Sequence, residues 1–487
     1  METGAFVSPA VRIATRQDLL EQVFAHCDHR DGDMLAKCAR VSHAFFKPAV
    51  KVLWGDLPNY TPIVYVLWKS YKKERGKVTW ISPIEDEQWA RLELYGALVK
   101  HIEELREDHD GELGGAGFVA LALRAKGRPI FGHLKRVSNV ELRHMRTYEP
   151  LLFLSAPLRE VAFSLPVRNE DDYPCKDCRD LGMVHKFDYT MGPLLQVLHM
   201  QSPHLTTLSV NFHALFPEVK SEDVQRISLF RHLRHLHVQL DGMSLSSLLM
   251  TCAKLRKLTS LSLRMSDIFE FPEAKKPKKS KLRTLTDFKL RGHPAYAVAV
   301  LEHALESALE SVVVFGPADE EDFYECLDSI TKHFSSSLTT LGVTLYGGRR
   351  TMRFADIGDR LHLLPKLQYC FLEFVEDLRY SNPKKIRMSL TDDDIAKAAL
   401  AWPRLRKFIL SCAQDDQDVA PLAESVQAFA AHCPELQTLV LPSMDASRLP
   451  AGVDAKVERC ELPGLTTSDR EYYDVIGSFP RSKTIHP

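Results

Sequence analysis

Cys175-Lys-Asp-Cys178, with His185 seven residues further on, is the set in this 487-residue chain that comes nearest to a metal or redox centre. Two thiolates at that spacing supply half of a zinc site, which takes four ligands. No second Cys-x-x-Cys and no pair of histidines follows nearby. A redox dithiol sits at the N-terminus of a helix, whereas this pair follows Asn169-Glu-Asp-Asp-Tyr-Pro174, a loop composition. A surface insertion carrying two thiols is the plainer reading, and an enzyme or redox module built on the loop is kept as an alternative. His232, His235 and His237 cluster on one predicted strand, where His235 and His237 point the same way. Two such ligands make a polar surface more readily than a metal site. Gly111-Glu-Leu-Gly114-Gly115-Ala-Gly117 lacks the Gly-Lys-Ser/Thr of a phosphate-cradling loop and reads as a flexible loop. No Ser/His/Asp or Cys/His set carries a supporting motif, so no catalytic residue, metal or cofactor is expected.

The basic run Lys275-Lys-Pro-Lys-Lys-Ser-Lys281, with Arg283, reads as a solvated loop or as a nuclear localisation signal. Over the whole chain charge is balanced, 63 basic against 64 acidic residues, which argues against a general nucleic-acid or anionic-membrane binder. No stretch approaches the ~18 apolar residues of a membrane helix. Met1 to Ala14 lacks a basic segment followed by an apolar one, so no secretory signal is expected. The ten cysteines are mostly isolated and read as reduced, buried groups of a cytoplasmic or nuclear protein.

A single core stops growing at about 250–300 residues, so the chain must hold several domains or a repeat array. The 65 leucines favour the array. One pattern recurs: apolar, two variable, apolar, one variable, apolar. It begins at Val137, Leu158, Leu205, Leu233, Leu258, Leu285, Leu309, Leu338, Leu367, Leu405, Leu436 and Val457, with a weaker copy at Val99. The apolar-x-apolar pair has the period of a strand. Between copies lie helical patterns. Leu245, Leu248, Leu249 and Cys252 share a face, as do Ala297, Val300, Leu301, Ala304, Leu305 and Ala308. Thr391 and Asp394 form a capping-box-like pair, and Pro421 suits the first turn of a helix reaching His432. One strand plus one helix per ~20–30 residues is the leucine-rich-repeat signature. A doubly wound sheet competes, but has no reason to keep one spacing in a dozen strands. The Asn or Cys that usually stands eight residues after the first leucine is replaced by His213, Asp241, Ser266, His293, Pro317 and Tyr346, so the repeats are degenerate.

Residues 15–57 follow another pattern, with three short helices. Leu19, Leu20, Val23 and Phe24 share a face of the first, with Thr15 as its cap. Met34 to Val41 is the second, and Ser42 caps a third that runs to Trp54. Such a small core leans on a neighbour or a partner. The segments "DLLEQVF" and "LAKCARVSHAFFKPAVKVLWGDLP" resemble a fungal F-box. Trp89-Ala-Arg91 with Tyr95 and Val99 is similar to a block that follows the F-box in fungal F-box/leucine-repeat proteins. Thr15-Arg16 stands where that family has Leu-Pro, and Cys27 where a leucine closes the first helix.

The resemblance implies a substrate receptor of a Skp–cullin–F-box ubiquitin ligase. The head would clasp the Skp adaptor, and through it a cullin scaffold, while the repeats hold a protein substrate. Leu19, Leu20, Val23, Phe24, Val41, Phe45, Leu53 and Trp54 are the clasp and its supporting core under that reading. The alternative is a helical cap sealing the first repeat, on a repeat scaffold unconnected with ubiquitin.

The expected α/β architecture is therefore an F-box-like head at 1–60, a linker and capping repeat at 61–130, an irregular solenoid at 131–465 and a tail at 466–487. Solenoids bind on their concave face. Reading off the outward strand positions gives a polar, basic strip with His235, His237, Arg264, Lys289 and Arg291. An apolar group with Phe315, Tyr369, Phe371 and Ile409 follows. These are the expected substrate contacts, unless the apolar tail around Tyr472, Tyr473 and Phe479 covers them.

Overall fold

The computed structural model describes residues 16–27, 32–74, 77–105, 114–141, 154–164, 191–212, 221–240, 245–265, 281–317, 320–347, 351–375, 386–414, 421–422 and 425–442. Cys175, Cys178, His185, residues 275–280, the repeat beginning at Val457 and the tail at 466–487 lie outside them. The chain divides into two compact units, Met1–Ser280 and Lys281–Pro487.

The first unit opens with three helices, α1 (Gln17–Ala25), α2 (Gly32–Val41) and α3 (His43–Gly55). Helix α1 begins after Arg16, which has no side-chain cap and instead pairs with Asp18 at 2.6 Å. Ser42 caps α3, its hydroxyl accepting from the Phe45 N–H at 3.4 Å. Leu20 and Phe24 from α1, Leu35 from α2 and Ala49 from α3 form a shared buried core. Lys51 of α3 pairs with Glu21 of α1 at 2.6 Å.

Helix α3 runs directly into β1 (Asp56–Leu57), the first strand of a parallel sheet. Before the next rung come α4 (Thr61–Val66), an antiparallel hairpin of β2 (Tyr71–Glu74) and β3 (Lys77–Trp80), and α5 (Asp86–Gly96). A capping box starts α5, with the Gln88 side chain accepting from the Glu85 N–H at 3.2 Å. The sheet then takes β4 (His101–Leu105), β5 (Arg136–Glu141), β6 (Glu160–Ser164), β7 (Thr207–Phe212), β8 (His235–Leu240) and β9 (Ser260–Met265), each pairing in parallel with the one before. Helices α6 (Gly114–Ala125), α7 (Met191–Gln201), α8 (Ser221–Gln225) and α9 (Leu245–Cys252) fall between rungs.

The second unit repeats the scheme with β10 (Asp287–Arg291), β11 (Ser311–Pro317) and β12 (Thr340–Tyr346). The sheet continues through β14 (Tyr369–Val375), β16 (Lys407–Ser411) and β18 (Thr438–Val440). Its helices are α10 (Pro294–His303), α11 (Glu320–Phe334), α12 (Phe354–Leu361), α13 (Asp392–Ala401) and α14 (Val426–His432). The short strands β13 (Met352–Arg353), β15 (Arg387–Ser389) and β17 (Ala413–Gln414) make a second parallel ladder.

Both units are therefore stretches of α/β leucine-rich-repeat solenoid. The alternation places Leu208, Val210, Leu236, Val238, Leu261 and Leu263 in the core of one unit, and Val312, Val314, Leu341, Val343, Cys370 and Leu372 in that of the other. Each such fully buried side chain contributes about 1.5–3 kcal/mol through removal of apolar area from water. The backbone of the residue after each leading leucine adds a rung of its own. The Arg159 N–H donates to the Lys135 carbonyl at 2.8 Å, Thr206 to Arg159 at 2.8 Å, Arg234 to Thr206 at 2.8 Å and Thr259 to Arg234 at 2.9 Å.

Several expectations change. The repeat placed at Val137 begins at Leu134, because Lys135, not Ser138, aligns with Arg159; a bulge between Val137 and Val140 hid the register. The weak copy at Val99 is a full rung, its Lys100 carbonyl accepting from Lys135 at 2.7 Å. Of the glycine-rich stretch, Gly114 to Gly117 are helical and not a loop, while residues 111–113 lie outside the described residues. Helix α10 ends at His303, which leaves Leu305 and Ala308 exposed beyond it. Helix α14 starts at Val426, well after Pro421. The capping box at Thr391 is present, with the Asp394 N–H donating to its hydroxyl at 3.3 Å. At one degenerate position His293 supplies a cap, its Nδ1 accepting from the Ala295 N–H at 3.5 Å.

Candidate functional site

The head separates the eight expected clasp residues by role. Leu20 and Phe24 are buried in its own interior, with Phe45 and Leu53 packed partly against them. Phe45 meets Phe24 edge to face at 5.8 Å. Leu19 is half-buried. Trp54 stacks flat on Tyr95 of α5, with centroids 4.6 Å apart and planes 10° apart. That contact joins the two sequence blocks, and the same block buries Trp89 and Val99. Only Val23 and Val41 stand out to solvent, 53% and 70% exposed. Met34 and Phe46 join them at 42% and 38%; the sequence reading missed both. Met34 is adjacent to Leu35 and Phe46 stands three residues before Ala49, so helical spacing alone did not separate them from the core.

The outward strand positions of the first unit carry His235, His237 and Arg264, all exposed. Register places His237 opposite Ser262 and Gln239 opposite Arg264. His237 Nδ1 lies 2.8 Å from the Ser262 hydroxyl. Among the described residues, no group of three His, Cys, Asp or Glu side chains is arranged to hold a metal.

In the second unit the outward positions form rows across the strands. One row runs Lys289, Val313, Gly342, Phe371, Ile409, Val440. Its apolar members are half-buried, except Val313, which is buried. Gly342 accounts for that: a Cβ there would come within 3.3 Å of both Val313 methyls. The adjoining row runs Arg291, Phe315, Thr344, Glu373, Ser411. The Arg291 guanidinium lies 5.1 Å from the centre of the Phe315 ring, and Phe315 meets Tyr346 at 5.7 Å. A cation over an aromatic face is worth about 0.5–1 kcal/mol where water reaches it. Tyr369, one row along, is hydrogen-bonded to Arg406, whose pKa is raised first by Glu435 and then by Tyr369.

Lys289, Arg291, Phe315, Tyr369, Phe371 and Ile409 thus share one face of the second unit, whereas His235, His237 and Arg264 belong to the first. Val313, Tyr346, Glu373 and Val440 complete the face. Strand alternation marks Val313 and Val440 as outward in the sequence and could have found Tyr346 and Glu373 as well. The arrangement offers apolar contact beside fixed charge, which is the chemistry of binding.

No protein-family model matches the chain, and no curated protein matches it. Among solved structures, the complex of Rad7 and Elc1 from yeast is similar at a TM-score of 0.32 and 15% identity, covering 73% of this chain and 82% of that one. An internalin (inlF) from Listeria monocytogenes is similar at a TM-score of 0.33 and 12% identity, covering 87% and 91%. The fold assignment rests on the strand registers and not on these two likenesses.

Proposed function

We propose that this chain is the substrate-recognition subunit of a Skp–cullin–F-box ubiquitin ligase, binding the adaptor through its head and a protein substrate through its repeats. The observation that carries the reading is the head itself. Three short helices bury Leu20, Phe24, Leu35 and Ala49 among themselves yet leave Val23, Met34, Val41 and Phe46 in water. Apolar side chains left out on so small a body are the means by which it would grip a partner. Ligation chemistry would then belong to other subunits, and this chain would act by binding alone, in the cytoplasm or nucleus.

Co-purification with a Skp adaptor tests this. The wild-type chain should retain the adaptor. Val23→Asp with Val41→Asp should lower retention about tenfold or more without unfolding, because both side chains are exposed. Leu20→Ala would not discriminate, since Leu20 lies in the head's own core. A wild-type chain that fails to hold the adaptor sinks the ligase reading. One observation then favours the scaffold reading: α3 runs straight into β1, and Trp54 seats on Tyr95, as a solenoid cap requires.

A further inference from the structure

We propose that the strand-entry edge of the first unit holds an extended acidic polypeptide segment, at a surface separate from the outward strand face. The edge is built from the turns that lead into β4 to β9. Its stacked rungs carry Lys100, Lys135, Arg159, Thr206, Arg234 and Thr259 in order. Lys100, Lys135, Arg159 and Arg234 are exposed. Lys257 adds a further charge, its Nζ 3.2 Å from His232 Nδ1, and the His232 ring lies 5.2 Å from that of His204. Among the described residues, neither Lys135, Arg159, Arg234 nor Lys257 has a carboxylate partner. The crowding is felt by His232: Lys257 first, then burial, His204 and Arg159 hold its imidazole below the ordinary value.

The repeat does not demand this charge. What it requires at each rung is a backbone N–H and a backbone carbonyl, which any residue but proline supplies. The same rungs in the second unit carry Thr286, Glu310, Thr339, Gln368, Arg406 and Gln437, and Arg406 there is paired with Glu435 at 2.9 Å. Like charges stacked one strand apart repel, so a run of them without counter-charge costs stability unless something anionic binds.

Six rungs at about 4.8 Å span roughly 24 Å, the length of about seven extended residues. A single-stranded nucleic acid fits less well, because such ligands are held by bases stacked on exposed aromatic rings. The phenyl rings of these turns, Phe131 and Phe230, are fully buried, which leaves imidazoles as their exposed rings.

The test uses the full chain and a fluorescein-labelled peptide of alternating glutamate and glycine, about seven residues long, followed by anisotropy. The wild type should bind it, and binding should weaken as salt rises. Arg159→Glu with Arg234→Glu should weaken binding about tenfold or more. Lys366→Glu, an exposed lysine at the repeat position of Lys257 but in the second unit, should leave binding unchanged. Circular dichroism confirms that the variants fold. The proposal is overturned if the wild type does not bind the peptide, or if Lys366→Glu loses as much as the double variant. Tighter binding of an oligothymidylate, with the same sensitivity to the double variant, would also overturn it in favour of nucleic acid.

Discussion

Burial decides what the cysteines can do. The Cys252 and Cys326 thiols are pushed up to about 12, for both chiefly because burial disfavours the thiolate. Cys370 is raised for the same reason. The thiolate is the nucleophile, so at pH 8 only about one such thiol in ten thousand is reactive. Cys27 and Cys38 in the head are half-buried. A thiol reagent at pH 8 should therefore label Cys27 and Cys38 in the folded protein and reach Cys252, Cys326 and Cys370 only after unfolding. Peptide mapping of Cys252 labelled as fast as Cys27 would show the burial to be wrong. The linkage has a definite sign. In the unfolded chain these thiols ionise near 9.0, whereas in the fold they stay protonated. Their contribution to stability is complete below that value and is lost as pH rises from about 9 towards about 12.

At the scale of elements, register between β10 and β11 depends on two glycines. A Cβ on Gly316 would fall 1.9 Å from the Gly292 carbonyl oxygen, and the Gly292 N–H donates to the Phe315 carbonyl at 2.7 Å. The atoms in the way are backbone, so they cannot rotate aside. Gly316→Ala should cost about 2–4 kcal/mol, seen as a lowered midpoint in chemical denaturation, because overpacking forces backbone shifts. Gly342→Ala, which meets only Val313 methyls at 3.3 Å, should cost less. An equal loss in the two variants would refute the argument from backbone contact. Elements of this kind show what was legible beforehand. The leading leucines announced the strands because one period served every rung. The capping box at Thr391 was legible because both of its partners are local in sequence. The Leu134 register was not, since a bulge is a property of two strands and not of one. The ladder of β13, β15 and β17 was invisible, because strands of two or three residues leave no period to read. At the candidate sites, alternation located the outward residues, but only packing could move Leu20 and Phe24 from the expected clasp into the head's interior.

At the scale of the whole molecule, a repeat array is held together by neighbours, so damage should stay local. Trp402 offers the sharpest case. It is fully buried, donates its indole N–H to the Leu361 carbonyl at 3.1 Å, and packs on Phe408 at 5.4 Å. Phe408 in turn touches Phe354 at 6.5 Å and Phe429 at 5.9 Å, so one side chain ties α12, α13 and α14 to β16. Trp402→Ala removes that packing and leaves a buried carbonyl without its donor, at a cost of about 3–5 kcal/mol. A compact core would spread that cost over every amide by global unfolding. In a solenoid, stability is a sum of rung and nearest-neighbour terms, and local opening precedes the rest. Hydrogen exchange of the variant should therefore speed in β14, β16 and β18 by about a hundredfold or more. The amides of β7, β8 and β9 should keep their wild-type rates. Uniform acceleration across both sets would mean that the chain unfolds as one cooperative body. Confinement would show why a length beyond the limit of a single core is no burden here: each added rung needs only its two neighbours.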